Sequence, residues 1–388
     1  MPSMRAAILA AALLPAIVPA AEVPVWFGTY TNPTTRSEGI YVARFDTETG
    51  SLTTPTLAGR ARNPSFLAFH PRLPLLYAVS EIAAADGTPG GAVEAFTIDE
   101  ATGALSSCGA ESTGGAGPCH VTVDPEGTVV LAANYGGGSV ACLGLADDGR
   151  LEPLVTTVGS GFLQHAWNRG HEPGIHPRRQ ERPHAHSVDV APGGRFALVC
   201  DLGLDEVLVH ALDRDRATLA AHGAAKLATA AGPRHLAIHP DGIRGWCVNE
   251  LDLTVTGLDI DAGGGAIHVG PTASTMPADV ADRAGFSCAE IAVHPQGRFL
   301  YASNRGHDSI AMFRIEDGST DLEFLGVEPT RAKTPRHFAI APGGRHLLVA
   351  GQNSGTVTVF AIDGETGRLT FTGTSVEIPS PVCVGFRR

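Results

Sequence analysis

Residues 232–250 read GPRHLAIHPDGIRGWCVNE: a proline, a polar pair, an alternating apolar run, a Pro-containing turn and a second, more apolar run. A period of two is the side-chain period of a strand with one buried face, and a short HPDG turn between two such runs makes a hairpin. The phrase recurs as NPSFLAFHPRLPLLYAVSE (63–81), GPCHVTVDPEGTVVLAANY (117–135), HAHSVDVAPGGRFALVCD (184–201), SCAEIAVHPQGRFLYASNR (287–305) and TPRHFAIAPGGRHLLVAGQ (334–352). After each hairpin comes a third strand, such as DEVLVHAL (205–212) or DSIAMFRI (308–315). Six copies are therefore complete.

A seventh copy is divided between the two ends of the chain. SPVCVGF (380–386) matches a first strand and stops, whereas VPVWFGTYT (23–31) begins as a second strand and continues into GIYVARFD (39–46) and GSLTTPTLA (50–58). Repeats of roughly 45–65 residues, each giving about four short strands, are what a β-propeller needs, because radial repetition leaves only short, protected edges. The expectation is an all-β, seven-bladed β-propeller spanning 22–388 as one domain, closed by pairing of the C-terminal strand with the N-terminal blade. The longest departure from the repeat, GSGFLQHAWNRGHEPGIHPRRQERP (159–183), reads as an insertion forming a lid over one face, since long non-repeating loops in compact folds are usually functional.

Composition agrees with a large, turn-rich β structure. The chain is 43% hydrophobic and 18% charged, enough apolar surface for a sizeable core, and its 47 glycines and 27 prolines fall between short apolar runs, where turns belong. A net charge of −12 removes the electrostatic attraction on which nucleic-acid and anionic-membrane binding depend, so neither partner is expected. The opening MPSMRAAILAAALLPAIVPAAEV places Arg5 before an apolar run that Pro15 and Pro19 interrupt and small residues end. It reads as a secretory signal peptide over 1–21 rather than a membrane anchor, giving a periplasmic or secreted protein with no membrane association after cleavage and no protein partner implied. Cys108, Cys119, Cys142, Cys200, Cys247, Cys288 and Cys383 form no CxxC pair and mostly sit in apolar strand patterns, which indicates buried thiols rather than a disulfide framework or a zinc site.

In a hairpin the start of the first strand and the end of the second lie at the same end, so in every copy these points meet at one rim. The lead position, six residues before the turn proline, holds Ser65, Cys119, His186, Arg234, Ala289 and Arg336; the next holds Phe66, His120, Ser187, His235, Glu290 and His337. The exit position, ten residues after that proline, holds Glu81, Tyr135, Leu202, Glu250, Arg305 and Gln352, and the one before it Ser80, Asn134, Asp201, Asn249, Asn304 and Gly351. One rim thus collects His186, Asp201, Arg234, His235, Glu250, Glu290, Arg305, Arg336 and His337. Arginines neutralise oxyanions while His and Glu transfer protons, so the set suits chemistry on a carboxylate, lactone or enolate. Mutual charge pairing is the structural alternative.

Other clusters carry less. His171, His176, His184 and His186 in HEPGIHPRRQERPHAH match no standard zinc spacing, so no metal is expected there. Arg178, Arg179 and Arg182 either supply charge to an anionic substrate or are simply solvated. Asn134, Asp201, Asn249 and Asn304 resemble calcium ligands of other propellers, but recurrence at one repeat position is equally explained by capping of the following turn. The glycines of NYGGGSV (134–140) precede no helix and make a strand-to-strand turn rather than a phosphate loop.

Beyond the repeat, GTYT (28–31), ANYGGGSV (133–140), RQERPHAHSV (179–188), DLGLDEV (201–207), NELDLTV (249–255) and SNRGHDSIAMF (303–313) resemble the seven-bladed propeller lactonase family, in order over 23–388. That family includes the bacterial propeller-type 6-phosphogluconolactonases and the fungal carboxy-cis,cis-muconate cyclising enzyme. The resemblance implies a catalytic quartet falling on His186, Arg234, Glu250 and Arg305, with His184 the less favoured histidine. It also implies opening of a sugar-type lactone to its acid, with no metal or other cofactor. In that scheme His186 is general base for water, Arg234 and Arg305 stabilise the oxyanion and hold an anionic group, and Glu250 orients an arginine or shuttles a proton. Arg179, Gln180, His184, Asp201, His235, Glu290, Arg336 and His337 are the accompanying substrate-binding candidates. Cyclisation of an unsaturated dicarboxylate and a non-catalytic binding propeller are the other two functions open to this scaffold.

Overall fold

A computed structural model describes residues 22–85, 88–155, 161–166 and 176–387, so the expected signal peptide and His171 lie outside the described residues. Seven four-stranded antiparallel sheets follow one another around a ring. Blade 5, built by the opening phrase, runs outward from Pro233–Ile238 through Arg244–Asn249 and Thr254–Asp261 to Ala266–Ser274. The innermost strands of the other blades are Leu67–Phe69, Pro118–Val123, Ala185–Val190, Ser287–Val293, Pro335–Ile340 and, for blade 1, the C-terminal Pro381–Phe386. That last strand pairs with Glu22–Thr29, joining Phe27 to Val384 and Val25 to Phe386, so the chain closes as expected. The described residues contain no helix.

Of the stretch read as a lid, residues 159–160 and 167–175 lie outside the described residues, and part of the remainder belongs to a blade. Phe162–Gln164, inside it, is the fourth strand of blade 3 and pairs with Ser139–Gly144. Three residues are too few for any alternation to register, which is why the sequence pattern misses them. A second unforeseen feature is a small hairpin, Ala84–Ala85 with Thr88–Pro89, between two strands of blade 2.

The core is a ring of seven layers, one between each pair of neighbouring blades. Between blades 5 and 6, for example, Trp246, Val248 and Val255 pack against Ile291, Leu300 and Phe313, and the six other interfaces repeat the arrangement. The second strand of each blade, buried on both faces, supplies most of this layer and so reads as more apolar than the first. Its large aromatics also tie blades together through their polar tips. Trp26 Nε1 donates to Gly103 O (2.9 Å), Tyr77 Oη to Gly149 O (2.6 Å), Trp246 Nε1 to Thr320 O (2.9 Å) and Tyr301 Oη to Gly367 O (2.9 Å).

The HP of the phrase has a matching role on the opposite face. The Nδ1 atoms of His70, His239 and His294 accept backbone N–H groups of their own turns, which leaves Nε2–H to donate to the carbonyls of Gly127, Gly297 and Gly344 in the next blade. The cysteines are free thiols, six of them buried, and Cys200 meets Cys247 across blades 4 and 5 at 3.6 Å.

Candidate active site

Two backbone devices bring the rim together. In five blades the residue before the first proline of the phrase has a positive φ: Asn63 (43°), Gly117 (60°), Gly232 (65°), Thr334 (59°) and, for blade 1, Ser380 (48°). Its carbonyl turns back to accept the N–H of the exit residue, Glu81 (3.1 Å), Tyr135 (2.9 Å), Glu250 (2.7 Å), Gln352 (3.0 Å) and Tyr30 (3.2 Å) respectively. The second device is a break in register at the start of five innermost strands, between Pro118 and His120, Ala185 and Ser187, Pro233 and His235, Cys288 and Ile291, and Pro335 and His337. A bulge re-aims side chains, so two successive residues serve the channel where a regular strand would offer one. Arg234 and His235 accordingly touch through their head groups, Nη1 to Nε2, at 3.1 Å.

Glu250 is the hub. It is 2% exposed, and its Oε2 accepts from Arg234 Nε (3.0 Å) and lies 3.8 Å from His186 Nε2. Its Oε1 is paired with Arg305 Nη2 (3.0 Å) and bonded by Arg179 Nη2, which arrives from the stretch between blades 3 and 4. Burial alone would raise the Glu250 carboxyl, but the charges of Arg305, Arg179 and Arg234 hold it well below the usual carboxylate range. Burial, with Arg305 and Arg336, draws Arg234 down to about 10, which leaves it a cation at neutral pH. His186 is held well below 6.5, first by burial and then by the charges of Arg234, His235 and Arg336, so its imidazole is a neutral base. Arg234 is further fixed by Ala289 O and Arg305 by Cys288 O (2.8 Å). Arg234 Nη2 and Arg305 Nη1 are left without a partner among the described residues.

Across the mouth, Arg336 lies 5.4 Å from the Tyr30 ring centroid and has no hydrogen bond or ion pair among the described residues. Tyr30 Oη donates to both carboxylate oxygens of Glu81 (3.0 and 3.1 Å), as does Ser65 Oγ to one of them. Cys119 Sγ sits 3.8 Å from His186 Nδ1, and burial pushes its thiol far up, which suits packing rather than nucleophilic attack. Four arginines, Arg179, Arg234, Arg305 and Arg336, thus face three carboxylates, Glu81, Glu250 and Glu290, giving a locally cationic mouth on an anionic chain. Beneath it a cavity of about 10 Å³, touched by Ser65, Cys119, Arg234 and Arg336, has room for about one water.

The remaining candidates separate into three groups. His235, Glu290 and His337 lie together under Arg234, with Glu290 taking His235 Nδ1 (3.0 Å) and His337 Nε2 (3.1 Å). His184 is stacked on Tyr135 at 4.5 Å, and its two ring nitrogens face Tyr135 O (3.0 Å) and Glu181 Oε1 (3.2 Å), so its hydrogen-bonding capacity is already occupied. Asp201 and Gln180 are not brought to the mouth. Asp201 accepts the backbone N–H groups of His184, Gly203 and Leu204 and pairs with His165 Nδ1 (2.6 Å), while Gln180 Nε2 donates to Leu202 O (3.0 Å) and Asp205 Oδ1 (2.7 Å). Asn134, Asn249 and Asn304 likewise donate to Ser139, Thr254 and Ser309 of their own blades, the capping alternative to a calcium centre.

Tyr30, Ser65, Glu81, Cys119 and Tyr135 complete the mouth. Four of them occupy the same lead and exit positions as the arginines, and Glu81 there is of the same residue type as Glu250. Tyr30 was harder to find, because blade 1 takes its first strand from the other end of the chain and has no turn proline from which to count.

Known proteins share this architecture and much of this sequence. The family model described as lactonase, 7-bladed β-propeller, matches residues 24–386. The 6-phosphogluconolactonase of Bacillus subtilis is 35% identical over 361 residues, covering 93% of this chain and 97% of the relative. That of Formosa agariphila is 30% identical over 339 residues, covering 85% and 90%. The solved structure of the periplasmic gluconolactonase of Pseudomonas aeruginosa matches with a TM-score of 0.84 at 31% identity, over 95% of this chain and 99% of that one. With the ring, its closure and the sequence in agreement from one end to the other, this chain belongs to the seven-bladed β-propeller lactonase family of lactone-opening enzymes.

Proposed function

We propose that the protein opens a sugar-type lactone of the 6-phosphogluconolactone or gluconolactone class to its acid at the Glu250 rim, and that it does so outside the cytoplasm after loss of residues 1–21. The observation that carries the reading is a buried carboxylate joining three arginines beside a neutral histidine, His186, with a fourth arginine, Arg336, left unpaired across the mouth. His186 Nε2 takes a proton from water as the water attacks the lactone carbonyl. The carbonyl oxygen becomes an oxyanion facing the unpartnered N–H groups of Arg234 and Arg305. Glu250, 3.8 Å from His186, balances the imidazolium that forms. Collapse breaks the ring C–O bond, His186 returns its proton to the departing alkoxide, and the product carboxylic acid ionises. Arg336 is placed to hold the polyol or anionic end of the substrate. No step calls on a metal or cofactor.

The test is proton release by the purified mature protein on glucono-δ-lactone and on its 6-phosphate, each corrected for spontaneous opening. Acceleration of either supports the reading, and the ratio of the two rates states whether phosphate is recognised. Acceleration of neither, with turnover of an unsaturated dicarboxylate to its muconolactone, would assign the site to cyclisation instead.

A further inference from the structure

The group beneath Arg234 has more order than a cluster of substrate contacts requires, and hydrogen-bond directions can be assigned along it. Val384 N–H donates to His337 Nδ1 (3.2 Å), so His337 carries its proton on Nε2 and donates it to Glu290 Oε2 (3.1 Å). Arg234 Nη1, which can only donate, meets His235 Nε2 (3.1 Å), so His235 carries its proton on Nδ1 and donates it to Glu290 at 3.0 and 3.2 Å. Ile291 N–H supplies a third donor to Glu290 (3.0 Å). Every direction in the chain from Val384 to Arg234 is therefore fixed by an unambiguous donor at each end. Both imidazoles are neutral in this arrangement, in keeping with the downward displacement that burial gives them. The cavity that His235 and His337 line together with Arg234 and Arg336 holds about 10 Å³, too small for a sugar ring.

We infer that Glu290, His235 and His337 do not contact substrate but form a positioning relay that sets the orientation of Arg234 through the tautomer of His235. A carboxylate is needed at 290 because three donors share its two oxygens, His235 (3.0 Å) and His337 (3.1 Å) both on Oε2 and Ile291 N–H (3.0 Å) on Oε1. Glutamine has one acceptor oxygen and one donor amide. In Glu290→Gln the oxygen stays with Ile291 N–H, a donor that cannot change, and the NH₂ group faces His235 and His337. Val384 fixes the tautomer of His337, so it is His235 that moves its proton to Nε2 to accept the amide. It then confronts the N–H of Arg234, donor against donor, and Arg234 loses its support. Removing His337 as well lets the NH₂ group turn into the space it leaves, so that His235 again donates from Nδ1 to the oxygen, 3.2 Å away in the parent, and the original tautomer returns. A purely structural role predicts the reverse, since a second buried truncation only adds damage.

The relay rests on the proposed lactone opening for its rate readout and on geometry alone for its spectroscopic one. In Glu290→Gln, kcat falls about tenfold or more with KM within about twofold, because Arg234 is displaced where charge develops rather than where substrate binds. The double variant Glu290→Gln with His337→Ala is faster than Glu290→Gln alone. Imidazole ¹⁵N spectra of the full chain show His235 protonated at Nδ1 and His337 at Nε2 in the parent, and His235 protonated at Nε2 in Glu290→Gln. A parent spectrum with either tautomer reversed overturns the relay even if no variant folds, as does a double variant slower than the single one. Should the parent open no lactone, the functional reading fails by itself and the tautomers still decide the relay.

Discussion

At the scale of single residues, the site keeps Glu250 ionised and His186 neutral down to lower pH than either would stay so in water. His186 is the sharpest case, because burial and the charges of Arg234, His235 and Arg336 all oppose its protonation. A group with a depressed pKa stays unprotonated, and competent as a base, as pH falls through the ordinary histidine range. The prediction is that kcat/KM on the preferred lactone holds its plateau through pH 6.5 and declines only well below it, in a profile run from neutrality to about pH 4 with spontaneous opening subtracted. A half-maximal point at or above 6.5 would mean that the base is a more exposed group. Much of this was legible in the sequence: counting from the turn proline places His186, Arg234, Glu250 and Arg305 at one rim, and they meet there. The same count could not show that Asp201 turns into the blade toward His165, or that His184 is taken up by Tyr135 and Glu181, because side-chain direction at a bulge is not a matter of period.

The element that recurs is a hairpin stitched at both ends, to itself at the rim and to its neighbour on the far face. At the rim, the carbonyl before the proline holds the exit residue; on the far face, the HP histidine donates to a glycine carbonyl of the next blade. The far-face stitches belong to stability and not to catalysis. Replacing His239 by Ala removes the bond to Gly297 O and an acceptor for Asp241 N–H, at a cost of about 1–2 kcal/mol. Urea unfolding should show that loss while kcat stays at the parental value; an equal loss of activity would mean that the two faces are coupled. Gly28 of the GTYT motif shows where sequence reading stops short. A Cβ at that position would strike the Pro64 carbonyl, so only glycine lets blade 1 approach blade 2, yet the letters alone give no sign of the approach. The three-residue strand Phe162–Gln164 was invisible for a different reason, being shorter than the pattern needed to detect it.

For the molecule as a whole, stability lies between blades rather than within them, since each of the seven core layers is shared by two sheets. A ring of this kind has no expendable blade, and its weakest covalent point is where the two chain ends meet. Pro381–Phe386 covers the edge of Glu22–Thr29 and contributes Val384 to the layer between blades 7 and 1. Truncation after Ser380 should expose that edge and strip Val384 and Phe386 from that layer, giving a chain that aggregates or lacks a cooperative thermal transition. A soluble truncated protein with the parental Tm would show that closure is dispensable. Closure also reaches the site, because Val384 N–H is the first donor of the chain leading to Arg234. Both the number of blades and the manner of closure were readable from the repeat, since a phrase split between the termini has only one way to be completed in a ring.

The central claim is that the arginines gathered on Glu250 stabilise the oxyanion of an opening lactone. The most direct measurement is pH-stat hydrolysis of glucono-δ-lactone and its 6-phosphate by the parent and by Arg234→Ala, with circular dichroism confirming that the variant keeps its fold. Enzymatic opening of at least one lactone is expected, with a loss on the order of a hundredfold in kcat for the variant. A folded Arg234→Ala protein that opens the lactone as fast as the parent would contradict the claim.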